Sequence, residues 1–231
     1  MRRTVWLVLF ALAACGGPKG TIAYFDETEA GAAPFKTRML VTSDFLRIDY
    51  GVDGDDFILF DRKRPTIYSV NNADKTVVVI ERQPVSLAQP KRFEHRTERD
   101  NAAFPDIDGH KTVRYRLVTN GKQCYEVFSA DGLLPEMTRA LREYHQTIAG
   151  EHARALTSMP KDLQDDCDMA NFVFAPVRHL EHGFPVRSRD AVGNSRQLTD
   201  YKEAAQIDPA LFKLPADYRR YKPGEMPGQT S

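Results

Sequence analysis

Phe45-Leu46-Arg47-Ile48-Asp49-Tyr50, Phe57-Ile58-Leu59-Phe60-Asp61, Thr66-Ile67-Tyr68-Ser69-Val70 and Thr76-Val77-Val78-Val79-Ile80-Glu81 follow one another between residues 45 and 81. Each is short, rich in β-branched or aromatic types, and bounded by turn chemistry at 42–44, 51–55, 62–65 and 71–75. Connections this short join antiparallel neighbours, because a parallel crossover needs a dozen residues or more. The stretch therefore predicts an antiparallel meander, and residues 21–26 and 36–42 extend it toward the N-terminus. Leu46, Ile48 and Tyr50 alternate with Arg47 and Asp49, which predicts one solvated face for that strand. Residues 57–60 and 77–80 do not alternate, so both faces of those strands must be covered.

Working toward the C-terminus, residues 83–110 read as a long polar connection punctuated by Pro84, Pro90 and Pro105, with one edge strand at most. Val113, Tyr115 and Leu117 alternate with Arg114 and Arg116, Asn120-Gly121 predicts a type I′ turn, and 123–129 returns to complete a hairpin. A helix is expected over 135–149, opened by Pro135 and capped by Gly150. Its apolar stripe is Met137, Leu141, Tyr144 and Ile148. A second helical stretch, 151–170, is broken at Met159-Pro160. Strands are expected at 172–175, 184–189 and 197–206, a helical turn at 208–212, and a disordered tail at 222–231.

Composition is that of a globular chain: 231 residues, 42% hydrophobic and 28% charged. Lys+Arg and Asp+Glu are both 32, so no net charge favours nucleic acid as a partner. The N-terminus carries an address. Arg2 and Arg3 precede the apolar run 5–14, and small residues follow, which is the layout of a secretory signal. The run is about half of what a bilayer-spanning helix needs. Leu12-Ala13-Ala14-Cys15 resembles a bacterial lipobox, where the Cys thiol is acylated and the chain is cut before it. Gly16, standing where an Asp would signal inner-membrane retention, makes the outer membrane, on its periplasmic face, the location implied by that resemblance. The expected divisions are a signal peptide at 1–14, a tether at 15–20 and a single domain at 21–221. With Cys15 acylated, Cys124 and Cys167 are an even pair outside any Cys-x-x-Cys arrangement. They read as a structural disulfide stapling the helical layer to the hairpin, against two buried thiols or a redox pair.

Several motifs occur in a telling order: 39–49 and 67–71 in the meander, Ile107-Asp108-Gly109-His110 before the hairpin, and Asp208-Pro209-Ala210-Leu211-Phe212-Lys213-Leu214-Pro215 near the end. Together with the element order they resemble the lipoprotein-carrier superfamily, the LolA/LolB-like proteins. They are similar more closely to a poorly characterised family of secreted proteins assigned that fold. The resemblance implies an α+β fold in which a strongly curved antiparallel β-sheet, a half barrel, is covered on its concave face by helices. It implies an apolar or acyl ligand in the enclosed cavity. The residues expected to line that cavity are Leu46, Ile48, Ile58, Phe60, Val78, Ile80, Leu141, Tyr144 and Ile148.

Catalytic chemistry is not expected. No Gly-x-Ser-x-Gly elbow, Gly-rich phosphate loop or activated Cys is legible, and no cofactor or metal is implied. His179-Leu180-Glu181-His182 lies between Pro176 and Pro185, which argues for solvated loop histidines over a metal-binding helix. The expected function is binding of an apolar or acyl ligand by a membrane-anchored module. The alternative is an envelope interaction protein with a filled core whose partner is another membrane-associated protein.

Overall fold

The computed structural model describes residues 17–52, 54–88 and 93–225. Residues 1–16, including the expected signal peptide and Cys15, and residues 226–231 of the expected tail lie outside them. The strands are β1 (Lys19–Thr28), β2 (Phe35–Val41), β3 (Phe45–Asp49), β4 (Phe57–Asp61), β5 (Thr66–Asn71), β6 (Thr76–Glu81), β7 (His95–Arg99), β8 (Thr112–Thr119), β9 (Lys122–Ala130), β10 (Phe184–Asp190), β11 (Ser195–Gln206) and β12 (Arg219–Tyr221). Helix α1 spans Pro135–Thr157, and a short α2 at Asp166–Asp168 continues into the wide turns of Met169–Phe174.

All twelve strands form one open sheet in the order β12-β6-β5-β4-β3-β2-β1-β11-β10-β9-β8-β7. The meander β1 to β6 pairs antiparallel throughout, as its turns require, and only β12 on β6 is parallel. β11 returns beside β1 and joins the meander to the β8–β10 half. Irregular registers fall in β1 at Gly20/Ile22 and Tyr24/Phe25, in β8 at Leu117/Val118 and in β10 at Pro185/Arg187. Such bulges bend a strand and add twist, and the sheet curves as a half barrel. One free edge, β7, carries His95, Arg96, Glu98 and Arg99, charges that discourage further pairing.

Both faces of the meander are covered, as the unbroken apolar runs require. Ala23, Phe25, Met39, Val41, Leu46, Phe60 and Ile67 pack with Met137, Ala140 and Leu141 of α1. The alternate residues Leu40, Phe57, Leu59, Val70 and Val77 pack on the other face with Ile207 and Phe212, joined by Leu211, Leu214 and Tyr218. The Phe45 and Phe212 rings stack with centroids 5.5 Å apart. The chain after β11 is thus a second layer, and it ends by adding β12 to the sheet, a strand the sequence did not announce.

That layer overturns the expected wet face of β3. Arg47 and Asp49 are both buried. Asp49 accepts from Arg38 Nε and Nη2, each at 2.9 Å, and from Arg47 Nε at 2.6 Å. Arg47 Nη1 donates to the Leu211 carbonyl at 2.8 Å, and its guanidinium lies 3.7 Å from the Phe57 ring centroid. Polar alternation marked a face covered by chain from beyond residue 206, whose contacts a local pattern cannot register.

The helical region differs in two places. α1 runs through Gly150 to Thr157. Gly150 does not cap it; a side chain there would collide with the Gln83 carbonyl, so the glycine lets helix and connection approach. Residues 172–174 form part of the wide helical turns instead of a strand, packing Phe172, Val173 and Phe174 around Phe93 and Leu156. A four-residue apolar run is compatible with either state until its neighbours decide. The disulfide between Cys124 and Cys167 is formed, bridging a sequence separation of 43 and tying β9 to α2. Closing such a loop contributes on the order of 4 kcal/mol in the chain-entropy account. Asn120 and Gly121 both have positive φ, 50° and 81°, as a type I′ turn requires.

Within the stretch expected as a tether, residues 17–20 are described and touch the fold. Ile207 N donates to the Pro18 carbonyl at 3.1 Å, and β1 has begun by Lys19. A side chain at Gly17 would strike the Ile207 carbonyl, and one at Gly20 the Val41 carbonyl. The chain is therefore seated on the fold from Gly17 onward.

Burial pushes the Asp49 carboxyl up, but hydrogen bonds from Arg38 and Arg47 outweigh that and hold it below the ordinary 3.8. The stability this group contributes is present above its unfolded value and lost as pH falls through the folded one. Asp49→Ala leaves two guanidinium groups without their shared acceptor. It is expected to lower unfolding free energy by about 3–5 kcal/mol in urea denaturation at pH 7, as for a broken buried ion pair.

Candidate functional site

One end of the half barrel carries a cleft. Its larger part, about 450 Å³, is lined by the end of β1 (Glu27), the start of β2 (Phe35, Thr37), the end of β3 (Ile48, Asp49) and the start of β4 (Ile58). These residues share one end because register places Glu27 opposite Phe35, Arg38 opposite Asp49, and Asp49 opposite Phe57. A smaller recess of about 300 Å³ adjoins it, and the two share Glu27, Glu29 and Arg196. Leu141 and His145 of α1, Tyr125 of β9 and His179 after α2 line the recess.

Of the nine residues expected to line a cavity, Ile48 and Ile58 face the larger cleft and Leu141 the recess. Leu46 and Phe60 are fully buried and belong to the packed core under α1. Ile80, Tyr144 and Ile148 pack against that core, Tyr144 edge-on to Phe60 at 6.0 Å. Val78 lines a separate pocket beside Arg219 and Tyr221. The helix stripe thus fills most of the space beneath α1 with side chains, and the open volume lies at the end of the sheet.

The cleft is also more polar than an apolar cavity. Arg196 joins Glu27, with Nε 3.0 Å from Oε1 and Nη2 donating to Oε2 at 3.1 Å. Thr37 Oγ1 donates to Glu27 as well. Asp56 accepts from Asn72 N at 2.7 Å and Asn71 Nδ2 at 3.2 Å. The histidines overturn the expectation of solvated loop side chains. His145 and His179 meet edge to face at 4.9 Å, and His179 lies 5.7 Å from the Tyr125 ring. His182 stacks on Tyr115 at 4.1 Å. Among the described residues no group of three or more His, Cys, Asp or Glu is arranged to hold a metal ion.

Burial, reinforced by Arg196, Arg142 and Arg178, lowers His179 to about 4. Burial, with His179, Arg196 and His152, holds His145 well below 6.5. Burial pushes the Tyr125 phenol up to about 12. The pair is therefore neutral at neutral pH, offering donors and acceptors without charge. None of this was legible locally. Glu27, Tyr125, His145, His179 and Arg196 come from five separate elements. The one available signal was that His145 lies four residues from Leu141, on the flank of the apolar stripe.

The unfolded chain protonates these imidazoles near pH 6.5 and the folded chain only near the lowered values, so stability falls with pH across that interval. For His179 alone the loss between pH 6.5 and about 4 amounts to at most about 3 kcal/mol. Urea midpoints measured from pH 7 to pH 4.5 should decline, and His179→Phe should flatten that decline. An unchanged slope would count against the buried neutral pair.

Comparison with known proteins yields no matching family model and no matching curated protein. Among solved structures, the chain is similar to an uncharacterised conserved protein from Thermus thermophilus, with a TM-score of 0.46 and 8% identity over 88% of this chain and 90% of that one. It is similar to PNGF-II, with a TM-score of 0.41 and 12% identity over 88% of this chain and 31% of that one. At TM-scores under 0.5 these likenesses define no family.

Proposed function

We propose that this chain is a bacterial lipoprotein held in the outer membrane by acyl chains on Cys15, with its domain on the periplasmic face. Its half barrel binds an apolar or acyl ligand without catalysis. In this reading α1 closes the concave face of the sheet, and the ligand enters at the open end where packing stops. The observation that carries it is the 450 Å³ cleft, whose floor includes Ile48 and Ile58, two of the apolar residues expected to meet a ligand. That volume is within the range of small-molecule sites. Burial of apolar ligand surface would contribute roughly 25 cal/mol per Å² before ordering costs. The kinship with lipoprotein carriers rests on sequence motifs and element order.

The seated N-terminus gives the proposal an orientation. One residue stands between Cys15 and Gly17, so their Cα atoms are at most about 7 Å apart. The acylated end of the molecule is then the end where Gly17 meets Ile207. Glu27 lies about 26 Å along β1 from Lys19 at about 3.3 Å per residue, so the cleft opens away from the bilayer that holds the anchor. A second reading, an envelope interaction protein with a filled core, draws on the fully buried Leu46, Phe60 and Met137 and on exposed Tyr50, Val52 and Val192.

Two measurements test the proposal. Cys15→Ser should move the protein from the membrane fraction to the soluble fraction; retention in the membrane would remove the anchor. Dodecanol, used as a neutral apolar probe in titration calorimetry, should bind the wild-type domain. Ile58→Trp, which fills the cleft, should weaken that binding about tenfold or more with little change in melting temperature. A domain that binds no such probe favours the interaction reading.

A further inference from the structure

The larger cleft carries more negative charge than its own arginine offsets. Four carboxylates line it, those of Glu27, Glu29, Asp49 and Asp56, against one guanidinium, that of Arg196. Glu27 is engaged by Arg196 and Thr37, and Asp49 by Arg38 and Arg47. Asp56 accepts only from neutral donors, Asn72 N at 2.7 Å and Asn71 Nδ2 at 3.2 Å. Glu29 is exposed and has no ionic partner among the described residues. With Arg38 and Arg47 counted beside Arg196, four acids stand against three arginines, and one net negative charge remains.

The surroundings do not cancel that charge. The adjoining pocket beside Tyr50 and Asp56 adds Asp55 and no cation. Arg219 lines a further pocket, together with Asp74. Lys36 stands between Phe35 and Thr37 on β2, so strand alternation turns it to the opposite face. The recess adds Asp190, whose carboxylate accepts from the backbone of Val192, Gly193 and Asn194 at 3.0, 2.8 and 2.9 Å. Its imidazoles are neutral and lie near arginines: burial, with Arg196, Arg142 and Arg178, lowers His179 to about 4. A positive group is therefore favoured at the mouth of the larger cleft, beside Glu29 and Asp56, and not in the recess.

An independent feature of the mouth points the same way. The rings of Phe35 and Tyr50 meet at 6.1 Å, tilted by 60°, and Tyr50 is 51% exposed. Ring faces attract cations. The third ring of the cleft, Phe57, already holds one, the Arg47 guanidinium at 3.7 Å, whereas among the described residues no guanidinium lies over Phe35 or Tyr50. We propose that the ligand is an amphiphile with a single positive charge, its ammonium head on Glu29, Asp56 and the Phe35–Tyr50 pair and its chain over Ile48 and Ile58. This rests on the reading that the cleft holds an apolar ligand, and adds the charge of the head group.

The test is calorimetric titration of the wild-type domain at pH 7 with three probes of one chain length, dodecylammonium, dodecanol and dodecanoate, each below its micelle threshold. Dodecylammonium should bind about tenfold more tightly than dodecanol, the scale of one charge-assisted contact, and dodecanoate should bind most weakly. Raising the salt from about 20 mM to about 300 mM should shrink the preference for the ammonium and leave the alcohol nearly unchanged. The double variant Glu29→Gln, Asp56→Asn should bring ammonium and alcohol to within about threefold of each other. If that variant loses its cooperative melt, Glu29→Gln alone, at an exposed position, should cost the ammonium about threefold and the alcohol nothing. Equal wild-type affinities for ammonium and alcohol, or tighter binding of the carboxylate, would overturn the positive head and leave the apolar cleft standing. Failure of all three probes would remove the cleft reading, and the head group with it.

Discussion

Every other feature of this molecule follows from a sheet that is apolar on both sides. Strands β4 and β6 send large side chains in both directions, and neither set can be left in water at roughly 25 cal/mol per Å². Two covers are therefore needed, and the chain supplies them from two later stretches. Helix α1 brings Met137, Ala140 and Leu141 to one face, and the segment after β11 brings Ile207 and Phe212 to the other. The carbonyl of Leu211 in that second cover also completes the hydrogen bonding of Arg47. The Arg38–Asp49–Arg47 cluster exists in this form because that cover takes its charges out of water.

The same constraint shapes the cleft. Under α1 the side chains interdigitate, and Leu46, Phe60 and Met137 have no exposure. Beyond the helix flank the paired strands continue to Glu27, Phe35 and Asp49 with less apolar cover above them, and open volume appears there. Polar groups accumulate at that end because strand ends and turns carry them. Glu27 with Arg196 and Asp56 with Asn72 follow from the register, with no long-range helix required. The recess differs. His145 reaches it from the helix, while His179 is placed there by a segment that the Cys124–Cys167 bridge fastens beside β9.

The long connection and the C-terminal segment show why local pattern and tertiary role can diverge. Gly150 has the signature of a helix cap, yet it serves a close approach to Gln83 inside a continuing helix. Residues 172–174 have the composition of a buried strand, yet they wrap around Phe93 and Leu156 as wide helical turns. In each case the deciding contact comes from a part of the chain far away in sequence.

Period-two patterning, turn chemistry and loop length determined the antiparallel meander, the β8–β9 hairpin with its Asn120-Gly121 turn, and the stripe along α1. Those signals act between residues a few positions apart and need no partner to be legible. Two-sided apolar runs likewise required that something cover each face, and cysteine parity favoured the bridge that formed. Which segments provide the covers, that Arg47 and Asp49 are buried, and that five elements bring Glu27, Tyr125, His145, His179 and Arg196 to one end were decided only by the tertiary structure. Burial and charge pairing are properties of the surroundings, and the cover over Arg47 comes from Leu211, 164 residues along the chain.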